Sequence, residues 1–383
     1  MTINKTCSSA VKAPCTANEH LAADIFQAGV NTGLPTFEFD EKTTSFFEFW
    51  PVWLIYFPVA LYWLVLSLRY RSFGLPMVVN PRIPLGGMVG ESKSAILNDA
   101  GPTLKAHILP YITFNAQPTK AAEQARELVS EAQARGLAMP MVVKPDLGCR
   151  GSGVQLVHSV DQLTVYLNKS KDGQVYLLQQ LAPFGAEGGV FYVRKPGEAR
   201  GRIVSFTLKY RPTVRGDGFS SLRQLIEQHP RARKMARVHL ASNRVLLDTV
   251  PAKGEEVALA FAGSHCRGSI FRNGAAYIST EMELVFDALL KELPGFHYGR
   301  LDVKFRDIHS FSTGKYFHII EINGASSEQT HIWDSRTRFV DAMATLLGQY
   351  KLLFEMGSGM RSLGYAVPSV VTLIRVWLRE LQR

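Results

Sequence analysis

From Phe49 to Leu68 the chain runs twenty residues without a charge, FWPVWLIYFPVALYWLVLSL. That is about the length a helix needs to cross a bilayer. Trp and Tyr, which favour membrane interfaces, are frequent in it. Pro51 and Pro58 disfavour one straight helix. Glu38, Asp40, Glu41 and Glu48 precede the run and Arg69 and Arg71 follow it, so the positive-inside rule sets the body of the chain on the cytoplasmic face. Three arrangements fit: a single crossing, a re-entrant or interfacial wedge bent at Pro58, and a buried core or oligomer helix. Length and aromatic content together favour membrane contact.

A second apolar pattern closes the chain. Residues 367–383 predict a helix after Pro368, with Val371, Ile374, Leu378 and Leu381 on one face. Arg375, Arg379 and Arg383 line a different face. A basic amphipathic helix suits a membrane surface, and a terminal helix packed on the body is the equal alternative.

Between these segments the periodicity is that of an α/β body. Residues 121–135 predict a helix stopped by Gly136, and further helices fall near 161–168, 219–228, 281–292 and 337–353. Strand patterns occupy Met141–Lys144, Val154–His158, Val175–Gln180, Val190–Arg194, Ile203–Lys209, Arg300–Phe305 and Phe317–Asn323. No internal repeat interrupts them, and residues 1–45 are polar, without the short apolar core of a signal peptide.

At 383 residues, 46% hydrophobic and 20% charged, the chain can build two or three packed units without covalent staples. Cys7, Cys15, Cys149 and Cys266 are far apart and form no CxxC, which argues against a disulfide framework or a cysteine zinc site and fits a reducing compartment. The net charge of +10 favours anionic partners: nucleotides, nucleic acid or an acidic membrane surface. No basic arm, helix-turn-helix or aromatic RNA-binding motif is present, so nucleic acid is not the expected partner.

Chemistry concentrates late in the chain. In YGRLDVKF, alternation puts Arg300, Asp302 and Lys304 on one face and Leu301, Val303 and Phe305 on the other. In FHIIEIN it puts Glu321 and Asn323 together, opposite His318, Ile320 and Ile322. Two carboxylates and an amide on apolar strands call for a partner, and an all-oxygen set suits Mg²⁺ carrying phosphate and water. A surface strand with solvated charges is the plain alternative. Further upstream, MVVKPDLGCRGSGV is a strand ending at Lys144 that enters a loop with Gly148, Gly151 and Gly153. Such glycines let backbone N–H groups approach phosphate, to which Lys144 adds a point charge. In isolation the same loop is an ordinary glycine hairpin.

In this order, across roughly residues 90–335, the motifs resemble the ATP-grasp superfamily, in particular its D-alanine–D-alanine ligase-like and cyanophycin-synthetase-like branches. The resemblance implies an α/β (α+β) fold of two α/β subdomains clamping ATP, with a shortened N-terminal domain and an added hydrophobic membrane segment. The corresponding divisions are a polar arm (1–45), the hydrophobic segment (46–72), a shortened preceding region (73–135), a small subdomain (136–205), a large subdomain (206–355) and the basic C-terminal helix (356–383). It implies nucleotide contacts from Lys93, Lys144, Gly148, Gly151, Ser152 and Gly153. From LLQQLAPFGAE it adds Gln179, Gln180, Leu181 and Glu187, with Gln180 and Leu181 at the adenine edge and Glu187 at the ribose. Lys209 and Arg300 would act on the transferring phosphoryl group. Asp302, Glu321 and Asn323 would bind Mg²⁺, two ions in number, with Mn²⁺ an acceptable substitute. The VRGDG segment followed by SLRQLIEQ resembles an element of cyanophycin and glutathione synthetases. His265, Arg267, Ser326 and Ser327 would face the substrates.

The activity implied is ATP-dependent joining of a carboxylate to an amine, or to a thiol, through an acyl phosphate. A small-molecule or lipid-like acid and an amine would be the substrates, a membrane surface a partner, and a homodimer the common assembly of such ligases. The membrane features suggest an amphiphilic substrate. Two competing readings are a small-molecule kinase of the same fold and a non-catalytic nucleotide-binding membrane scaffold.

Overall fold

The computed structural model describes residues 30–36, 42–148 and 151–381. Most of the polar arm, with Cys7 and Cys15, lies outside the described residues, as do Cys149, Arg383 and the side chain of Leu381.

The hydrophobic run forms one helix, α1 (Val52–Arg69), that contains Pro58. Helices α2 (Lys93–Asn98) and α3 (Pro102–His107) lead into strand β1 (Tyr111–Asn115). Helix α4 (Ala121–Ala134) buries the stripe Ala121, Ala125, Leu128 and Ala132, spaced three and four apart, and the chain turns at Gly136 with φ 78°. Then come β2 (Met141–Pro145), β3 (Gln155–Val157), α5 (Val160–Asn168) and β4 (Val175–Gln180). The Ser159 side chain caps α5 by accepting the Gln162 N–H. Strands β1, β4, β2 and β3 form a four-stranded antiparallel sheet in that order, and α4 and α5 cover it with one apolar cluster.

The next strands build a second sheet. These are β5 (Ala186–Val193) and β6 (Arg202–Tyr210). The chain then makes an excursion through β7 (Thr213–Arg215), α6 (Leu222–Gln228), α7 (Ala236–Ser242) and β8 (Glu256–Ala258), which share their own small core. The Asp217 carboxylate accepts the N–H groups of Phe219 and Ser220, and a Ser221–Gln224 capping box opens α6, which is why VRGDG turns into a helix. Strand β9 (Ile270–Asn273), helix α8 (Thr280–Lys291), β10 (Tyr298–Phe305), α9 (Ile308–Ser312) and β11 (Phe317–Asn323) complete the body. The five-stranded antiparallel order is β11-β10-β5-β6-β9. Helices α8 and α9 fill one face with Phe286, Leu290 and Phe311, against Leu301, Val303 and Phe305.

Two long elements finish the chain: α10 (Phe339–Ser362) and α11 (Val370–Leu381). Helix α1 does not stand free. Ile55 and Val59 pack with Leu346 and Trp333, and Trp63 meets Tyr350 and Phe354 of α10 edge-on. Its other face, Trp53, Phe57, Leu61, Leu64 and Leu68, is exposed.

Three sequence expectations change. Strand β5 begins at Ala186, four residues before the expected Val190, and all eight of its residues are buried. Covered on both faces, it has no alternation to read, and Gly188–Gly189 further hides it. A Cβ at Gly188 would stand 2.6 Å from the Phe206 ring, so only glycine fits. Second, β1 joins the small sheet whereas β5 and β6 join the large one, so the sheets divide near residue 181 rather than at 136 and 205. Third, β11 carries a bulge. Asp302 faces Glu321 but Val303 faces Ile319, so Ile320 is an extra residue in the ladder. Parity therefore resets: His318, opposite Lys304, falls on the same side as Glu321, and Ile320 borders the cavity, while Ile319 and Ile322 enter the core.

Candidate functional site

The two sheets face each other across a cavity of about 1390 Å³. That exceeds the roughly 300–1,000 Å³ of a usual single-ligand pocket and leaves room for two. Adjacent strands of the large sheet supply a charged row. Arg300 is opposite Asn323, Asp302 is opposite both Glu321 and Gly189, and Lys304 is opposite Glu187. A Cβ at Gly189 would stand 3.1 Å from the Arg300 side chain, so this glycine leaves the arginine its place.

The row is knit by ion pairs. Asp302 Oδ1 receives Arg300 Nε at 2.8 Å and Lys209 Nζ at 2.9 Å. Burial by itself would raise the Asp302 pKa; Arg300 and Lys209 overcome it and hold the carboxyl down at about 2. Glu187 is paired by Lys304 at 2.8 Å and Lys209 at 3.4 Å. Lys144 reaches in from β2, donating to Gln179 Oε1 and to the carbonyl of Ile320, both at 2.8 Å. That carbonyl belongs to the residue the bulge adds to β11. Burial pushes Lys144 down to about 8, against the pull of Glu321. Lys93, at the start of α2, donates to the carbonyl of Gly148 at 2.8 Å and stands 3.6 Å from Glu321.

Most of the expected residues meet here. Lys93, Lys144, Gly148, Gly151, Gln179, Gln180, Leu181, Glu187, Lys209, His265, Arg300, Asp302, Glu321, Asn323, Ser326 and Ser327 all border the cavity. Ser152, Gly153 and Arg267 do not; Gly153 accepts the Tyr166 hydroxyl, and Arg267 bonds the carbonyl of Gly151 at 3.3 Å. Gln180 Oε1 accepts the Ala138 N–H at 2.8 Å, and Glu187 is engaged by its two lysines.

Two carboxylates were not legible as site residues. Glu91 borders the cavity and accepts the Gly324 N–H at 2.9 Å. Burial, with Glu321 nearby, pushes it up to about 8. Glu48, read only as an acidic flank of the hydrophobic run, is buried in a bidentate pair with Arg231. His265 lies 3.3 Å from Glu48, among the rings of Phe271 and Trp333. Burial opposes its charge, but bonds to Cys266 and Glu48 win and raise it to about 9. A folded-state pKa above the unfolded value means a stabilisation fully present below about pH 6.5 and lost as pH rises through about 9. Thermal melts from pH 6 to pH 10 are expected to show a falling midpoint in that window. In His265→Gln the fall should flatten; an unchanged slope would refute the assignment.

Among the described residues no three His, Cys, Asp or Glu side chains converge into a ready-made metal cage. Asp302, Glu321 and Asn323 offer a set of oxygen donors on one face, and the buried Asn323 amide nitrogen lacks a hydrogen-bond partner. Such a set, completed by phosphate and water, fits Mg²⁺.

No protein-family profile and no curated protein matches the sequence. Among solved structures the chain is similar to a bifunctional glutathione synthetase from Pasteurella multocida (17% identity, TM-score 0.35, 68% of this chain and 35% of that one). It is also similar to a D-Ala:D-Ser ligase from Enterococcus faecalis (13%, 0.36, 70% and 62%) and to a D-cycloserine synthetase (13%, 0.34, 68% and 70%). The chain thus spans about a third of the glutathione synthetase and less than two thirds of the D-Ala:D-Ser ligase. Two antiparallel sheets with basic and acidic side chains facing across one cleft make this an α/β protein.

Proposed function

We propose that this cleft joins a carboxylate to an amine at the expense of ATP, at the cytoplasmic surface of a membrane. The observation that carries the reading is the charged row: Asp302, Glu321 and Asn323 beside Arg300 and Lys209, with Lys144 approaching from the opposite sheet and Lys93 from the start of α2. Phosphoryl transfer needs positioning and charge neutralisation more than covalent chemistry, and this set provides both. Asp302, Glu321 and Asn323 would hold Mg²⁺ through their side-chain oxygens, and Mn²⁺ would suit the same donors. A bound ion there would neutralise phosphate charge and draw electrons from the transferring group. Arg300, held in line by Asp302, would meet the equatorial oxygens, and Lys144 and Lys93 the leaving phosphates.

The reaction is transfer of the γ-phosphoryl to a carboxylate oxygen with departure of ADP. An amine then attacks the acyl carbon, phosphate leaves, and the nitrogen loses a proton. ADP release screened over pooled acids and amines, with mass spectrometry of the product, tests it. Equal amounts of ADP and inorganic phosphate with a condensed product support ligation. A stable phosphoester without free phosphate would make the protein a kinase, and nucleotide binding without turnover would make it a scaffold.

For the membrane, the support is the exposed face of α1 together with α11. Helix α1 is long and apolar enough to cross a bilayer. It is also packed along one side on α10, which carries Asp341, Lys351, Glu355 and Arg361. A helix bound lengthwise to a charged neighbour fits an in-plane position better than a crossing.

A further inference from the structure

The cavity does not end at the charged row. Its mouth is walled by Trp50, Val52, Ile55 and Tyr56 at the start of α1 and by Trp377 of α11. These apolar groups are continuous with the site, and the same two helices carry the exposed apolar faces. Trp53 is 70% and Phe57 58% exposed on α1; Val371, Ile374 and Leu378 are exposed on α11. The helices meet at their other ends, where Val367 packs in the cluster of Leu66 and Phe354. Leu373 and Val376 face the body, with Val376 3.0 Å from where a Cβ on Gly90 would lie. Arg69, Arg71, Arg375 and Arg379 are exposed around these faces. An apolar face bordered by arginines matches an anionic bilayer.

The inner end of the corridor is acidic. The Tyr56 hydroxyl of α1 donates to the carboxylate of Glu328, and the carbonyl of Glu328 accepts Arg300 Nη1 at 3.4 Å. Glu328 thus joins the apolar wall to the arginine of the charged row. Glu380, on α11 with Trp377, borders the mouth of the same cavity. A cationic head with a hydrocarbon tail complements the Glu328 carboxylate at the end of that apolar wall.

We propose that the nucleophile is a primary amine carrying a single hydrocarbon chain, drawn from an anionic bilayer on which α1 and α11 lie in plane. The chain occupies the corridor and the ammonium meets Glu328, beside the place where the acyl carbon is attacked. This rests on the ligase reading for the reaction but not for the binding. The ammonium first gives one proton to solvent; the free amine then attacks the acyl carbon, the bond from that carbon to the phosphate oxygen breaks, and the second proton leaves nitrogen with the departing phosphate.

The test uses the full chain. Butylamine, hexylamine, octylamine and decylamine are titrated calorimetrically below their micelle thresholds, with alkanoates of equal length in parallel. At about 0.8 kcal/mol per buried methylene, affinity for the amines is expected to rise about tenfold for every two methylenes. Trp377→Ser and Val52→Ser should flatten that rise and leave butylamine affinity in place. Glu328→Gln should weaken every amine by a similar factor, keeping the rise. Flotation with vesicles of phosphatidylcholine and phosphatidylglycerol (7:3) should bind the wild type, and Phe57→Glu with Leu61→Glu should release it. A flat length dependence overturns the proposal, as does a rise that survives both corridor variants or one shared equally by the alkanoates. Binding needs no turnover. A protein that binds amines by length but releases no ADP with any acid loses only the ligase reading; one that releases ADP but ignores chain length loses only the corridor.

Discussion

Glu321→Gln is expected to lower ATP-dependent ADP release by at least about 10²–10³-fold, the scale seen when one preorganised electrostatic group is removed from a transition state. Glu321 stands opposite Asp302 on the neighbouring strand and 3.6 Å from Lys93. The substitution keeps its shape and removes the charge that an ion would need. Its side chain is 27% exposed, so the fold should tolerate it. Asp302→Asn should be as inactive, but for two reasons. Asp302 neutralises both Arg300 and Lys209, and a buried pair broken on one side costs about 3–5 kcal/mol. Paired thermal melts separate the causes: Glu321→Gln should melt near the wild type and Asp302→Asn below it. Undiminished ADP release from Glu321→Gln would remove the basis of the metal assignment.

The largest effect on stability is expected far from the phosphates. Glu48→Ala leaves the Arg231 guanidinium, held at both terminal nitrogens, without its carboxylate in a buried place. The loss should be about 3–5 kcal/mol, a drop in melting midpoint of roughly 4–6 °C for a chain this long. Arg231 keeps the carbonyls of Thr43, Gly268 and Ser269, so some order in that corner persists. Because Glu48 sits just before α1, its loss also loosens the seat of the apolar helix. A midpoint within about 2 °C of the wild type would contradict this account. Glu48→Gln, which keeps the hydrogen bonds and loses the charge, should fall between.

How far the chain can be read without its structure follows from what was local. Strand β11 was legible from Phe317 to Asn323, and β2 and β4 within a residue, because apolar runs bounded by turns need no partner to be recognised. Lys144, Arg300, Asp302, Glu321 and Asn323 stood out as polar side chains on otherwise apolar strands, and all of them border one cavity. Strands β1 and β9 were missed because YITFN and IFRN are short. In β9, Arg272 is buried against Asp334 at 3.0 Å, a pairing across sixty-two residues that no window contains. Glu48 and Glu91 escaped because a carboxylate becomes buried through tertiary approach, and nothing beside either in sequence announces it. The hydrophobic run announced itself but not its orientation, since one packed side and one bare side are decided by α10.

The extra residue in β11 has a consequence for how this chain can change. The contact of Lys144 with that strand is to main-chain oxygen, so no replacement of the isoleucine side chain at 320 removes it. Length, unlike identity, is constrained. Excising Ile320 would restore strict alternation, leave Asp302 facing Glu321, and withdraw the oxygen through which Lys144 holds the acidic strand. Point variants at that position should therefore keep this hydrogen bond where a one-codon deletion does not, and a comparison of the two would reveal whether the sheets depend on that tether to stay in step.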